Sequence, residues 1–272
     1  MPRKVTSTKQ VWIQLWQGVL TAFSTFSLFP VKTSAYRPEN LRFTLSAFPL
    51  VGAAIGLCQG SVLLVAQAFS LPGLVFALLI FSLEAYLTGF IHLDGLADAS
   101  DAIFSRRDRD RMLEIMHDPL TGPMAVIALV IHSLWQMIFW SDLYGLVPQH
   151  ITQARLLMTL LALPAFLRAL SAGLTQVMPK AQKTGMSRTM APQSDPLANR
   201  LLALHGLAWA VLLVLALTWR GLVLVLALGL AWQAGRTYYM KSFAGISGDL
   251  AGQALCLFSD LSLLLISLLI RL

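Results

Sequence analysis

Eight apolar stretches, most of them near or above the ~20 residues a helix needs to cross a hydrocarbon core, run through this 272-residue chain. They lie near residues 11–30, 44–69, 71–92, 123–141, 156–178, 201–219, 221–235 and 251–270. Within a bilayer each backbone N–H and C=O has to be satisfied internally, and a helix does this with its own hydrogen bonds. The expected fold is therefore all-α, a polytopic integral membrane helical bundle of roughly seven or eight membrane segments in a single membrane domain over residues 1–272. The count is a range because Gln14 and Gln17 interrupt the first stretch and the seventh is short before Arg236, so either is compatible with a surface or re-entrant helix. Arg3, Lys4 and Lys9 ahead of the first stretch imitate a signal peptide. No small-x-small cleavage pattern precedes Pro30, so the stretch reads as a retained membrane segment.

Hydrophobic residues make up 57% and charged residues 12%, against about 45–50% and about 25% in soluble domains. This excludes a soluble protein, a disordered one and a nucleic-acid-binding module, and makes the lipid bilayer the chain's surroundings. The net charge of +7 then reads as topology. The loops after the first, third, fifth and seventh stretches hold Lys32, Arg37 and Arg42, then Arg106, Arg107, Arg109 and Arg111, then Lys180, Lys183, Arg188 and Arg200, then Arg236 and Lys241. The opposite side holds only Arg3, Lys4, Lys9, Arg155, Arg220 and Arg271. The positive-inside rule puts the first set in the cytoplasm, as expected for a multi-pass protein of the cell (inner) membrane. Cys58 and Cys256 lie far apart in apolar stretches, offer neither a disulfide framework nor a spaced zinc site, and read as inert thiols. Residues of about 179–200, with Gly185, Pro192 and Pro196, read as a mobile polar loop.

Seven of the 13 acidic residues fall between positions 94 and 118, starting where the third apolar stretch ends. In a helix Asp94, Asp98 and Asp101 are spaced i, i+4, i+7 and share one face. So repulsive an arrangement is relieved by a bound cation, and hard carboxylate oxygens suit Mg²⁺, which shares its shell with waters and substrate phosphates. The segment of about 92–122 is thus the expected active-site segment, at the cytoplasmic membrane surface. Gly95 permits close approach beside the first carboxylate. Arg106, Arg109 and Arg111, like Arg107, carry planar forks suited to phosphate oxygens or to lipid head groups. Glu114 and Asp118 are i, i+4 partners that either extend the metal site, supply a base, or pair with Arg111 or Arg107. His92 is a candidate for phosphate or metal binding. Asp249, between Gly248 and Gly252 at the start of the last stretch, is expensive near hydrocarbon and reads as a ligand or base. Arg168 lies within an apolar stretch and is expected to face the interior, toward an anion or toward Glu84 or Asp260.

The run His92-Leu93-Asp94-Gly95-Leu96-Ala97-Asp98, followed by Asp101, Arg111-Met112-Leu113-Glu114-Ile115-Met116, Asp118 and Gly122, resembles the cobalamin synthase (adenosylcobinamide-GDP ribazoletransferase) family. Phe48-Pro49-Leu50-Val51-Gly52, Arg168 with the loop through Gly185, and Ser247-Gly248-Asp249 with Gly252 extend the resemblance at intervals over most of the chain. The resemblance implies a Mg²⁺-dependent membrane transferase that joins adenosylcobinamide-GDP to α-ribazole or its 5′-phosphate and releases GMP. It also implies Asp94, Asp98 and Asp101 as metal ligands and Asp118 and Asp249 as candidates for a further ligand or the general base. His92, Gly95, Arg106, Arg109, Arg111, Glu114, Arg168 and Lys183 are the expected substrate contacts. The chain departs from the family's pattern at Ala102, in place of Gly, and at His117-Asp118-Pro119-Leu120, in place of Lys-Asp-Ser-Arg. Cys256 and Ser259 stand where glutamates are usual, with Asp260 one place on. A CDP-alcohol phosphotransferase is the nearest alternative, but Asp94-Gly95-Leu96-Ala97-Asp98 lacks the arginine of that family's motif. A transporter would set its acids near the midplane rather than in a loop-flanked, arginine-rich segment.

Overall fold

The computed structural model describes residues 8–32, 41–147, 149–181 and 195–272. Among these the chain forms α-helices joined by short turns, with no strand and one isolated backbone bridge between Lys180 and Ile246. In chain order they are α1 (Thr8–Phe26), α2 (Thr44–Ala68), α3 (Gly73–Leu87), α4 (Ile91–Phe104), α5 (Arg109–Ile115), α6 (Pro123–Gly145), α7 (Gln153–Val177), α8 (Pro196–Leu217), α9 (Trp219–Phe243) and α10 (Gly248–Ile270). Their starts carry chemical signals. Thr152, Asp195 and Ser247 accept from the first backbone N–H groups of α7, α8 and α10, satisfying donors a helix start otherwise leaves open.

Five helices, α2, α6, α7, α8 and α10, are long and apolar enough to cross a membrane, or six spans in all if α3 and α4 together count as one. Of the seven or eight segments expected, five or six meet this measure among the described residues, and the difference lies in the two interrupted stretches: α1 and α9 form as helices but fall below it. Exposed Trp12 and Trp16 on α1 are the side chains that favour a membrane interface. The third stretch ends early because the chain turns through 88° between α3 and α4. Gly89 (φ +59°) and Phe90 (φ +61°) both sit in the left-handed region at this bend, where glycine is at ease and phenylalanine is strained.

Small residues set the tightest helix contact. The Pro164 ring deprives the Leu160 carbonyl of its usual i+4 donor, and Gly56 of α2 packs directly against that carbonyl and Leu161. One turn earlier, Gly52 lies so close to α7 that a β-carbon would sit 2.7 Å from Ala165 Cα. α7 is the most buried span, and α10 comes next. Between them Ser171 Oγ donates to the Ala251 carbonyl (2.9 Å). Beyond α7, Ile246 N–H donates to the Pro179 carbonyl (2.9 Å) and Ala181 N–H to the Ile246 carbonyl (3.1 Å). The end of α7 and the start of α10 are thus fastened side by side, and α4 packs against α10 and α6.

Candidate active site

The bend at Gly89–Phe90 turns α4 out of line with α3 and carries its acids to the start of α10. Gly95 makes the closest approach: a β-carbon there would lie 2.8 Å from Asp249 O and 3.0 Å from Asp249 Cα. Asp94 and Asp249, 155 positions apart in sequence, consequently line one cavity of about 340 Å³ together with His92, Phe26, Phe48 and Thr175. Because the obstacle at Gly95 is backbone, Gly95→Ala forces α4 and α10 apart. We expect a loss of ~1–3 kcal/mol, read as a lowered Tm. Gly252→Ala is the control. Its β-carbon would meet His92 at an ordinary 3.5 Å, and its Tm should stay near that of the parent.

Asp98 sits one helical turn below Asp94. Burial pushes its carboxyl up to about 6, and repulsion from Asp94, Asp249 and Asp101 acts in the same direction, partly opposed by His117. Asp98 thus shares one electrostatic neighbourhood with Asp94, Asp101 and Asp249, an arrangement whose repulsion a cation could relieve. Among the described residues, however, no three His, Cys, Asp or Glu side chains gather into a ready cage. Asp101 explains part of this. Its two oxygens accept from Gly122 N–H (2.6 Å) and Ala125 N–H (2.9 Å), so it holds the start of α6 against α4. That is a role the i, i+4, i+7 spacing does not reveal.

The remaining candidates separate by environment. Burial, with Arg168 second, pushes His92 down to about 3, so its ring is neutral at pH 7, and its buried Nε2 has no hydrogen-bond partner. Arg168 is fully buried and settles its choice of partner: it donates to Glu84 Oε1 (3.2 Å) and to the Pro164 carbonyl (3.1 Å). Asp260 is instead held by His132 Nδ1 (2.9 Å) and Gln136 Nε2 (2.8 Å). Arg111 pairs with Glu114 (2.6 Å) on the exposed face of α5. Arg109 reaches the Ala181 carbonyl (3.5 Å), and Arg106 stands exposed at a left-handed turn residue (φ +53°). Asp118 is exposed and accepts Leu120 N–H (3.0 Å) in a turn. Lys183 lies outside the described residues. Its neighbour Lys180 is half-buried beside the end of α7, donates to the Thr175 carbonyl, and is pushed down to about 8 by burial.

Several residues at the site carry no functional mark in the sequence. His117 opposes the acids electrostatically, and Phe26, Ser171 and Thr175 line the cavity. Ser171 and Thr175 recur at the helical period after Arg168, a signal available in the sequence, whereas nothing local marks Phe26. The family departures sit in ordinary surroundings. Ala102 is packed with no exposed surface, and Cys256 Sγ lies against the His92 carbonyl (3.5 Å).

The adenosylcobinamide-GDP ribazoletransferase of Geobacillus kaustophilus is 33% identical over 248 residues, covering 88% of this chain and 90% of the relative. The enzymes of the same name from Acinetobacter baumannii and Azorhizobium caulinodans are 32% and 35% identical, covering 86% and 85% of this chain and 89% and 88% of the relatives. No solved structure matches. The family model for cobalamin-5-phosphate synthase matches residues 18–268, across α4, the Gly95 contact and the α10 aspartate alike, and the chain belongs to that family.

Proposed function

We propose that this protein joins adenosylcobinamide-GDP to α-ribazole or its 5′-phosphate, forming adenosylcobalamin or its 5′-phosphate and releasing GMP, the last assembly step of cobalamin biosynthesis. The observation that carries the proposal is the meeting of Asp94 and Asp249 in one cavity, in a chain whose relatives bear the name of that transferase. Mg²⁺ suits the site without a preformed cage, because it is usually held by one or two carboxylates and completed by substrate phosphates and water. Asp94 and Asp98 would hold it, with Asp101 and Asp249 alongside. Once bound it neutralises phosphate charge and orients the diphosphate.

In the transfer, a ribazole hydroxyl oxygen forms a bond to the phosphorus on the cobinamide side. The bond from that phosphorus to the bridging oxygen breaks, and GMP leaves with that oxygen. The hydroxyl proton passes to a carboxylate. Asp249 suits this role better than Asp118 because it lines the cavity, while Asp118 is turned into an exposed loop. Phosphoryl-type transfer asks mainly for positioning and charge neutralisation. Gly95 lets α10 come close, His92 supplies a neutral ring at the wall, and Arg106, Arg109, Arg111 and Lys183 are the cations available to the nucleotide phosphates. Arg168 and Glu114 act through their partners Glu84 and Arg111. The basic loops around α5 face the cytoplasm of the cell (inner) membrane on this reading.

The test is GMP release by purified protein in detergent or liposomes, given adenosylcobinamide-GDP and α-ribazole 5′-phosphate. We expect GMP together with a cobalamin product with Mg²⁺ and at least a hundredfold less with EDTA. Absence of both products from folded protein with Mg²⁺ would reject the assignment and direct attention to CDP-linked substrates and to transport.

A further inference from the structure

Asp94 lies on the boundary of two cavities of different character. One, of about 490 Å³, is open and is walled by Ser24, Ser27, Thr88 and the bend at Gly89–Phe90. The other is the cavity of about 340 Å³ shared with Asp249, and its wall is aromatic and aliphatic: Phe26, Leu45, Phe48, Ile91 and the ring of His92. The two cavities have only Ile91 and Asp94 in common. A transfer between two substrates needs such an arrangement, with one partner on each side of the reacting phosphorus.

The aromatic cavity has the features of a site for a flat heteroaromatic nucleoside. The Phe26 and Phe48 rings are 4.3 Å apart at 40°, and Phe48 is 5.8 Å from the His92 ring, a curved wall against which a planar ring can pack face or edge. Its volume is at the lower end of small-molecule sites, ~300–1,000 Å³, right for a single nucleoside and far too small for a corrinoid. A benzimidazole nucleoside presents a flat, largely apolar bicyclic ring to such a wall. Its ribose hydroxyls would then lie among Ser171, Thr175, Asp94 and Asp249, the polar part of the same wall.

We propose that the cavity between Phe26, Phe48 and His92 is the subsite for the benzimidazole base of α-ribazole, leaving the open hydroxyl-lined cavity to the nucleotide end of adenosylcobinamide-GDP. The assignment rests on the transferase reading above. It makes Phe26 a specificity residue, because it is only half-buried at the end of α1 and so can be altered with less damage than the buried Phe48.

Two readouts separate this assignment from the reading beneath it. In steady-state kinetics Phe26→Leu should raise KM for α-ribazole 5′-phosphate about tenfold and leave KM for adenosylcobinamide-GDP within twofold. A rise confined to adenosylcobinamide-GDP, or no change in either, would overturn the subsite assignment while the transferase reading stood. Equilibrium dialysis of α-ribazole and, separately, of GDP against the folded protein needs no turnover. There Phe26→Leu should weaken α-ribazole about tenfold without affecting GDP. If the parent protein binds no α-ribazole, or if the variant binds it as the parent does, the subsite is elsewhere. Thr175→Val, on the polar wall and away from the base, should leave discrimination between α-ribazole and ribazoles lacking the ring methyls unchanged, whereas Phe26→Leu should reduce it.

Discussion

Asp94→Asn is expected to leave the protein folded in the membrane and to reduce GMP formation by at least about a thousandfold, the scale of losing a group that stabilises charge at a reacting centre. Asparagine keeps the shape of the side chain and removes its charge. Asp94 is exposed at the start of α4, so its folding role is small. Removing its negative charge also relieves the repulsion it exerts on Asp98, so the Tm should hold or rise slightly. Function moves the other way, because a hard cation loses an anionic oxygen at the point where the two cavities meet. Turnover and thermal unfolding measured on the same preparation decide the matter: an Asn variant with parental kcat would remove the metal assignment from Asp94.

The second large effect is structural and concerns the pair formed by Glu84 and Arg168. Arg168 has no exposed side-chain surface, while the Glu84 side chain is 26% exposed and also accepts from Gln59 Nε2 (3.0 Å). The two ends of the pair are therefore unequal. A guanidinium does not deprotonate in a protein, so Glu84→Gln leaves a buried, uncompensated positive charge and is expected to destabilise by ~3–5 kcal/mol. Arg168→Met is expected to do less harm, because the carboxylate left behind is partly exposed and still accepts from Gln59 Nε2. The double variant Glu84→Gln/Arg168→Met should be more stable than Glu84→Gln alone. Denaturant unfolding in mixed micelles measures all three. Equal destabilisation by the two single variants, with no recovery in the double, would show that the pair is not coupled as the geometry requires.

These two predictions draw on different kinds of information. Asp94 was legible from the sequence as a candidate, since seven acids in one short segment of a chain so poor in charge single it out. Glu84 was not. Two carboxylates in apolar stretches were equally available to Arg168, and the decision came from the α3–α7 contact, with Asp260 drawn off by His132 and Gln136 on α6. Asp101 is similar: its spacing aligned it with Asp94 and Asp98, yet its oxygens cap the start of α6, a partner 21 residues away that no helical period announces.

Hydropathy, helical periodicity and the placement of acids are properties of neighbouring residues, and they determined the all-helical membrane architecture and singled out the acid-bearing segment and Asp249 as candidates. Tertiary structure decided that the third stretch breaks into α3 and α4, through the left-handed bend at Gly89 and Phe90, and it decided the cavity, through the contact of Gly95 with the Asp249 backbone. It also decided which charges neutralise one another. The physical reason is common to the cavity and the charge pairs: each depends on which helix faces lie within a few ångströms of one another, and close packing of small residues such as Gly52, Gly56 and Gly95 fixes that only once the bundle has assembled.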